Sequence, residues 1–224
     1  MKGIRIAIDG PAGAGKSTAA RLLAERLGYK YIDSGAMYRA VTLLALRFDV
    51  GWEDEKKLAM LIDKHNICQN GLITTIDGED VSLAIRSKQV SEAVSVVCKH
   101  PLVRKKLVEM QRNLAKDGAV VMEGRDIGTV VLPDAELKFF IIADQEERAR
   151  RRLKEMVALG KNVTFTEVLE NIKLRDLLDS SRAVAPLRQA SDAILVDNTR
   201  MSIDFEIDIM EKIARRKLED KVEF

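Results

Sequence analysis

Gly10-Pro11-Ala12-Gly13-Ala14-Gly15-Lys16-Ser17-Thr18 is the stretch on which the reading of this chain turns. Before it, residues 4–8 form a short apolar run that stops at Asp9-Gly10, as a buried strand ending in a turn would. After it, Ala19, Leu22, Leu23 and Leu27 recur at helical spacing until Gly28. The nine residues are therefore expected to be a glycine loop between a strand and a helix.

That stretch fits G-x-x-x-x-G-K-[ST], with Gly13 as an additional glycine. Glycines let consecutive backbone N–H groups turn toward one anion, and the following helix presents its positive end to it. Lys16 adds a point charge, and Ser17 offers a hydroxyl oxygen to a magnesium ion. Gly10, Pro11, Ala12, Gly13, Ala14, Gly15, Lys16, Ser17 and Thr18 are thus the expected cradle for ATP, with Mg²⁺ on Ser17 and Lys16 as a catalytic cation.

Strand and helix signals alternate outward from the loop. Residues 29–32 read as a strand, 37–48 as a helix, 101–116 as a helix with Pro101 in its first turn, and 119–122 and 137–143 as buried strands. Segments 146–159 and 166–181 read as helices, 193–196 as a last strand and 203–218 as a closing helix. This order predicts an α/β fold, a parallel sheet flanked by helices. Residues 67–90 break the pattern: Asn70-Gly71 and Asp77-Gly78 punctuate β-rich pieces, which predicts a small antiparallel insertion. One domain is expected over 1–224, with the insertion at about 66–98 and a helical lid at about 150–178 hinged near Gly160-Lys161-Asn162.

Composition narrows the partners. The 224 residues carry a formal net charge of +2, so nothing global favours nucleic acid. No apolar stretch approaches membrane-spanning length, and no secretory leader is visible at the N-terminus, so the expectation is a cytoplasmic monomer that handles small molecules. Cys68 and Cys98, with His65 and His100, make neither a zinc spacing nor a disulfide framework and are expected to be reduced and structural.

The arginines address the other substrate. Arg175, Asp179 and Arg182 share one helical face, and Arg148, Arg151 and Arg152 lie on the preceding helix. Phosphoryl transfer asks the protein mainly to position reactants and neutralise charge, work suited to guanidinium forks. The loops Asp33-Ser34-Gly35 and Glu123-Gly124-Arg125-Asp126-Ile127-Gly128 each follow a strand and so reach the ligand crevice at the carboxyl ends of the sheet.

These segments, together with Asp33 to Arg39, Gly124 to Val131 and Arg182-Ala183-Val184-Ala185-Pro186-Leu187, make the chain resemble the bacterial cytidylate kinases, which are P-loop nucleoside monophosphate kinases, over essentially its whole length. The resemblance implies transfer of a phosphoryl group from ATP to CMP and dCMP. It implies that Arg39, Arg125 and Arg175 hold the acceptor phosphate, that Ser95, Arg104 and Asp126 address cytosine with Ser34 nearby, and that Asp179 and Arg182 reach the ribose. Cytosine pairs an amino donor with acceptor atoms, which a carboxylate and a guanidinium complement. Family members carry more basic residues where this chain has Leu178 and Ser180, so Arg148 and Arg152 are taken as the catalytic lid arginines, and Asp197-Asn198-Thr199 as the adenine loop. Two other readings compete: a metabolite kinase resembling shikimate kinase, with Asp33 as base, and a non-catalytic nucleotide-controlled binding protein.

Overall fold

A computed structural model describes residues 3–158, 160, 162–182 and 184–222. At its centre lies β1 (Arg5–Asp9), flanked by β6 (Val120–Gly124) and β7 (Leu137–Ile142), with β2 (Lys30–Asp33) and β8 (Ile194–Asp197) at the edges. The order is β2-β6-β1-β7-β8 and every pairing is parallel. The α/β expectation holds.

Alternation along β1 distributes the core. Ile6 and Ile8 face α1 (Lys16–Leu27) and α8 (Ile203–Val222), where they meet Ala20, Leu23, Ile207 and Met210. Ala7 faces the other way, toward Met122 and Val108 of α5 (Pro101–Ala115). Both faces of the sheet are covered, as an all-parallel sheet requires.

The insertion is a three-stranded antiparallel sheet: β3 (Ile67–Asn70), β4 (Ile73–Ile76) and β5 (Glu79–Asp80). The β-rich reading of 67–90 overran it. A 3₁₀ turn (Ala84–Arg86) and α4 (Lys88–Val97) follow, the helix being capped by the Ser87 hydroxyl accepting from Val90 N at 3.4 Å. Ile67, Ile76, Val81, Ile85 and Val90 pack on α2 (Ser34–Arg47) and α3 (Glu55–Lys64). α3 was not foreseen; Asp54 starts it by accepting from Lys57 N at 3.1 Å. α2 begins three residues before the expected helix because Asp33 Oδ1 accepts from Ala36 N at 2.9 Å.

Two helices stand over the carboxyl ends of the strands. α6 (Gln145–Ala158) and α7 (Phe165–Ser180) pack through Ala149, Val168 and Ile172. A capping box starts α7, with Thr164 Oγ1 accepting from Glu167 N at 3.3 Å and Glu167 Oε2 accepting from Thr164 N at 2.7 Å. Leu159 and Lys161 of the expected lid, and Ala183 of the motif after α7, lie outside the described residues. No helix among the described residues is long and apolar enough to cross a membrane.

Candidate active site

The loop between β1 and α1 is built by backbone geometry. Gly10 has φ 150°, and a Cβ there would lie 2.0 Å from the Ile141 carbonyl oxygen, so β7 runs too close for any side chain. Gly15 caps α1 at φ 90° without a side-chain bond, which leaves the first N–H groups of the helix facing the crevice.

Lys16 is buried and donates to the Pro11 carbonyl at 2.8 Å, bending over the loop it follows. Burial, and then the nearby Arg125 cation, pull its pKa down to about 7, against weaker support from Glu123, Asp179 and Asp9. A polyphosphate arriving in the loop would supply the anionic partner that Lys16 lacks and favour its charged form. Ser17 Oγ donates to Glu123 Oε1 at 2.5 Å, and Tyr31 donates to the same oxygen at 3.3 Å. Burial first, then the neighbouring Asp33, push the Glu123 carboxyl above its usual range. Among the described residues no three acidic, His or Cys side chains gather into a metal cluster. A Ser hydroxyl beside one carboxylate is instead the kind of sparse oxygen set that holds Mg²⁺ together with substrate phosphates.

Glu123, the carboxylate beside Ser17, is not among the site residues expected from the sequence. Its signal was a charged residue closing a buried apolar strand, and Asp9 repeats that signal at the end of β1. Asp9 accepts from Ile127 N at 2.8 Å and Gly128 N at 2.7 Å, tying the loop's entrance to the π-helical turn Ile127–Val131. Burial raises its pKa to about 6.

Arg125, which acts on Lys16, is one of several guanidinium groups near the strand ends. Arg39 donates to Asp33 Oδ2 at 2.7 Å, while its buried Nε has no partner. Arg125 donates through Nε to Asp179 Oδ2 at 2.7 Å, and Arg182 to Asp179 Oδ1 at 3.1 Å. Arg175 makes no hydrogen bond or ion pair among the described residues. Burial, followed by the Arg125 charge, with Arg152 and Arg39 adding to it, holds Arg175 below the usual guanidinium range, and only Asp179 opposes that. Arg125, Arg152 and Arg39 therefore each lie near enough to act on Arg175 as like charges. Asp179 is held below the carboxylate range: burial would raise it, but Arg125 and Arg182 outweigh burial.

The wall beyond carries a buried ion pair. Arg104, buried on α5, hydrogen-bonds Asp126 Oδ2 and lies 5.7 Å over the Tyr38 ring. Burial, opposed by Arg104 and Arg182, raises the Asp126 pKa. Ser95 lies half-buried on α4, with no hydrogen bond from its side chain among the described residues. Ser34 donates to the Glu123 carbonyl at 2.7 Å, bracing the two strand-end loops against each other.

Asp33, weighed as a catalytic base, has both oxygens engaged, one capping α2 and one on Arg39. Arg148 also differs from expectation. It is buried and donates to Asp176 through two bonds, 2.9 and 2.6 Å, to Ala12 O at 2.9 Å and to Ala143 O at 2.9 Å. It ties the phosphate loop, the end of β7 and α7 together, whereas Arg152 is half-exposed and, among the described residues, bonds Glu155 alone at 2.8 Å. Asn198, in the expected adenine loop, is buried, donating to Ala14 O at 2.9 Å and accepting from Arg151 Nη1 at 3.0 Å.

A family model described as cytidylate kinase matches residues 6–217. The cytidylate kinase of Geobacillus sp. (strain WCH70) is 51% identical over 218 residues, spanning 95% of this chain and 97% of that protein. The cytidylate kinase of Bacillus subtilis (strain 168) is 48% identical over 223 residues, spanning 96% and 98%. Among solved structures, an uncharacterized protein from Eubacterium ventriosum ATCC 27560 superposes with a TM-score of 0.53 at 16% identity, over 95% of this chain and 98% of that one, a likeness of fold.

Proposed function

Since the chain belongs to the cytidylate kinase family and is a nucleoside monophosphate kinase that phosphorylates CMP, we propose that ATP is the donor, Mg²⁺ the metal and dCMP a second acceptor. The observation that carries the assignment of the acceptor side is Arg175, a guanidinium without a carboxylate of its own, near enough to Arg125, Arg152 and Arg39 to feel their charge, with Arg125 near Lys16 as well. Like charges held together in a half-buried space cost energy until a dianion arrives. A nucleotide phosphate, with its second pKa near about 6, is that dianion at neutral pH.

The 10–18 loop with Lys16 would hold the donor triphosphate, and Ser17 with Glu123 would hold Mg²⁺, which would neutralise charge on the donor phosphates. Arg39, Arg125 and Arg175 orient the CMP phosphate for in-line attack. Its oxygen is already deprotonated, so no general base is needed and Asp33 remains a cap and counter-ion. Arg104, Asp126 and Ser95 read cytosine, and Asp179 and Arg182 address the ribose, which makes the 2′-hydroxyl a modest contributor. α6 and α7 exclude water over the reacting groups, with Arg152 free to turn inward and Arg148 holding the helices to the loop. The two free cysteines suit a reducing, cytoplasmic setting, and the working unit is taken as a monomer.

ADP release measured with Mg·ATP and, in turn, CMP, dCMP, UMP, AMP, GMP and shikimate tests this reading. CMP should be fastest and dCMP close to it, with UMP poor and shikimate silent. Equal rates with UMP would remove the roles given to Arg104 and Asp126.

A further inference from the structure

The insertion brings a guanidinium of its own to the acceptor side. Its 3₁₀ turn, Ala84–Arg86, is pinned by Ile85, which is buried in the same cluster as Met37 and Val41 of α2. The next residue, Arg86, points back toward the end of β2, with Nη2 3.7 Å from Asp33 Oδ2 and a side chain that is 58% exposed. Both Asp33 oxygens already have closer partners, Ala36 N at 2.9 Å and Arg39 Nη2 at 2.7 Å. Arg86 is therefore held by charge without a hydrogen bond, and its side chain makes none among the described residues. Its backbone is fixed while its guanidinium is loosely held, sharing Asp33 with Arg39, whose charge acts on Arg175.

One carboxylate between two guanidinium groups leaves a positive charge over at the place where a phosphate dianion is to bind. A guanidinium fork exchanges a distant, shared carboxylate for phosphate oxygens with a gain in hydrogen bonding. We propose that Arg86 is a further ligand of the acceptor phosphate, moving from Asp33 to the CMP phosphate, so that the insertion engages the substrate through its charge as well as through its base. This rests on the acceptor phosphate lying among Arg39, Arg125 and Arg175. The competing account is a solvated surface arginine tethered to Asp33, such as an exposed ion pair ordinarily is.

Arg86→Gln separates the two, with Lys88→Gln as the control that removes the same charge from the same insertion at an exposed residue. Steady-state KM for CMP, KM for ATP, inhibition by cytidine, which lacks the phosphate, and Tm are measured for each. Loss of a charge-assisted phosphate contact should raise KM for CMP about ten- to a hundredfold. KM for ATP, cytidine inhibition and Tm should stay at their wild-type values, Arg86→Lys should recover part of the loss, and Lys88→Gln should change nothing. A KM for CMP within twofold of wild type in Arg86→Gln, or an equal weakening of CMP and cytidine, overturns the proposal. Arg175→Gln serves as the reference: if it too leaves KM for CMP unchanged, the placement of the acceptor phosphate fails, whereas a rise there without one in Arg86→Gln sinks only the assignment of Arg86.

Discussion

Replacing Arg148 with alanine tests whether this side chain holds the site together or takes part in the chemistry directly. The change removes both bonds to Asp176 and the donors to Ala12 O and Ala143 O, and among the described residues it leaves the Asp176 carboxylate with only the 3.3 Å contact from Gln145 Nε2. Breaking a buried pair from one side costs about 3–5 kcal/mol; Asp176 is 20% exposed and can rehydrate, which favours the lower end, about 3 kcal/mol. For a chain of this length that is a fall in Tm of about 6–12 °C. Because Ala12 belongs to the phosphate loop, KM for ATP should rise while KM for CMP changes less. The double variant Arg148→Met with Asp176→Leu removes both charges and should recover most of the lost Tm. Differential scanning fluorimetry and steady-state kinetics on the two variants supply the readings. An unchanged Tm together with a loss of kcat alone in Arg148→Ala would refute the structural role and return Arg148 to the transferred phosphoryl group.

Lys16 yields a pH prediction. Its folded pKa of about 7 lies below the ordinary lysine value of 10.5, so between these pH values the unfolded chain holds a proton that the folded chain lacks. Stability of the nucleotide-free protein should therefore rise with pH across that window, the penalty being fully present below about 7. A bound triphosphate restores the charge, so ATP binding at pH 8 should take up about one proton, seen by calorimetry in buffers of different ionisation enthalpy. No uptake would mean that Lys16 is already charged. Asp126→Asn should lower kcat/KM for CMP by about a hundredfold or more and shrink the preference over UMP, with KM for ATP little changed; equal losses for both nucleotides would contradict base reading. Thr164→Ala deletes the cap of α7 and should lower stability by about 1 kcal/mol, or about 2–4 °C in Tm. A drop several times larger would show that Thr164 holds more than the helix end.

What could be read from the residues alone was what is local. The 10–18 loop declares itself because its glycines, lysine and serine are contiguous, and the sheet follows from the alternation around it. The arginine positions were legible as well, but their partners were not. Arg125 meets Asp179 and Arg148 meets Asp176 across 54 and 28 residues of chain, and nothing at either end names the other. Arg148 and Arg152 look alike on one helix, yet one is buried against the phosphate loop and the other half-exposed, a difference made by how α6 packs on α7. Glu123 and Asp9 were visible as charges ending apolar strands; their roles needed the sheet order that places β6 beside β1 and so Glu123 beside Ser17. The helix α4 was hidden because Val90, Val94, Val96 and Val97 favour strands, and packing of Val90 and Val97 on α2 overrides that preference.

A structure of the complex with CMP and a non-hydrolysable ATP analogue would test the face-to-face arrangement most directly. The CMP phosphate is predicted within hydrogen-bonding distance of Arg39, Arg125 and Arg175, with the terminal phosphate of the analogue against Lys16 and the two aligned for direct transfer. A CMP phosphate bound away from all three guanidinium groups, or turned from Lys16, would contradict the account.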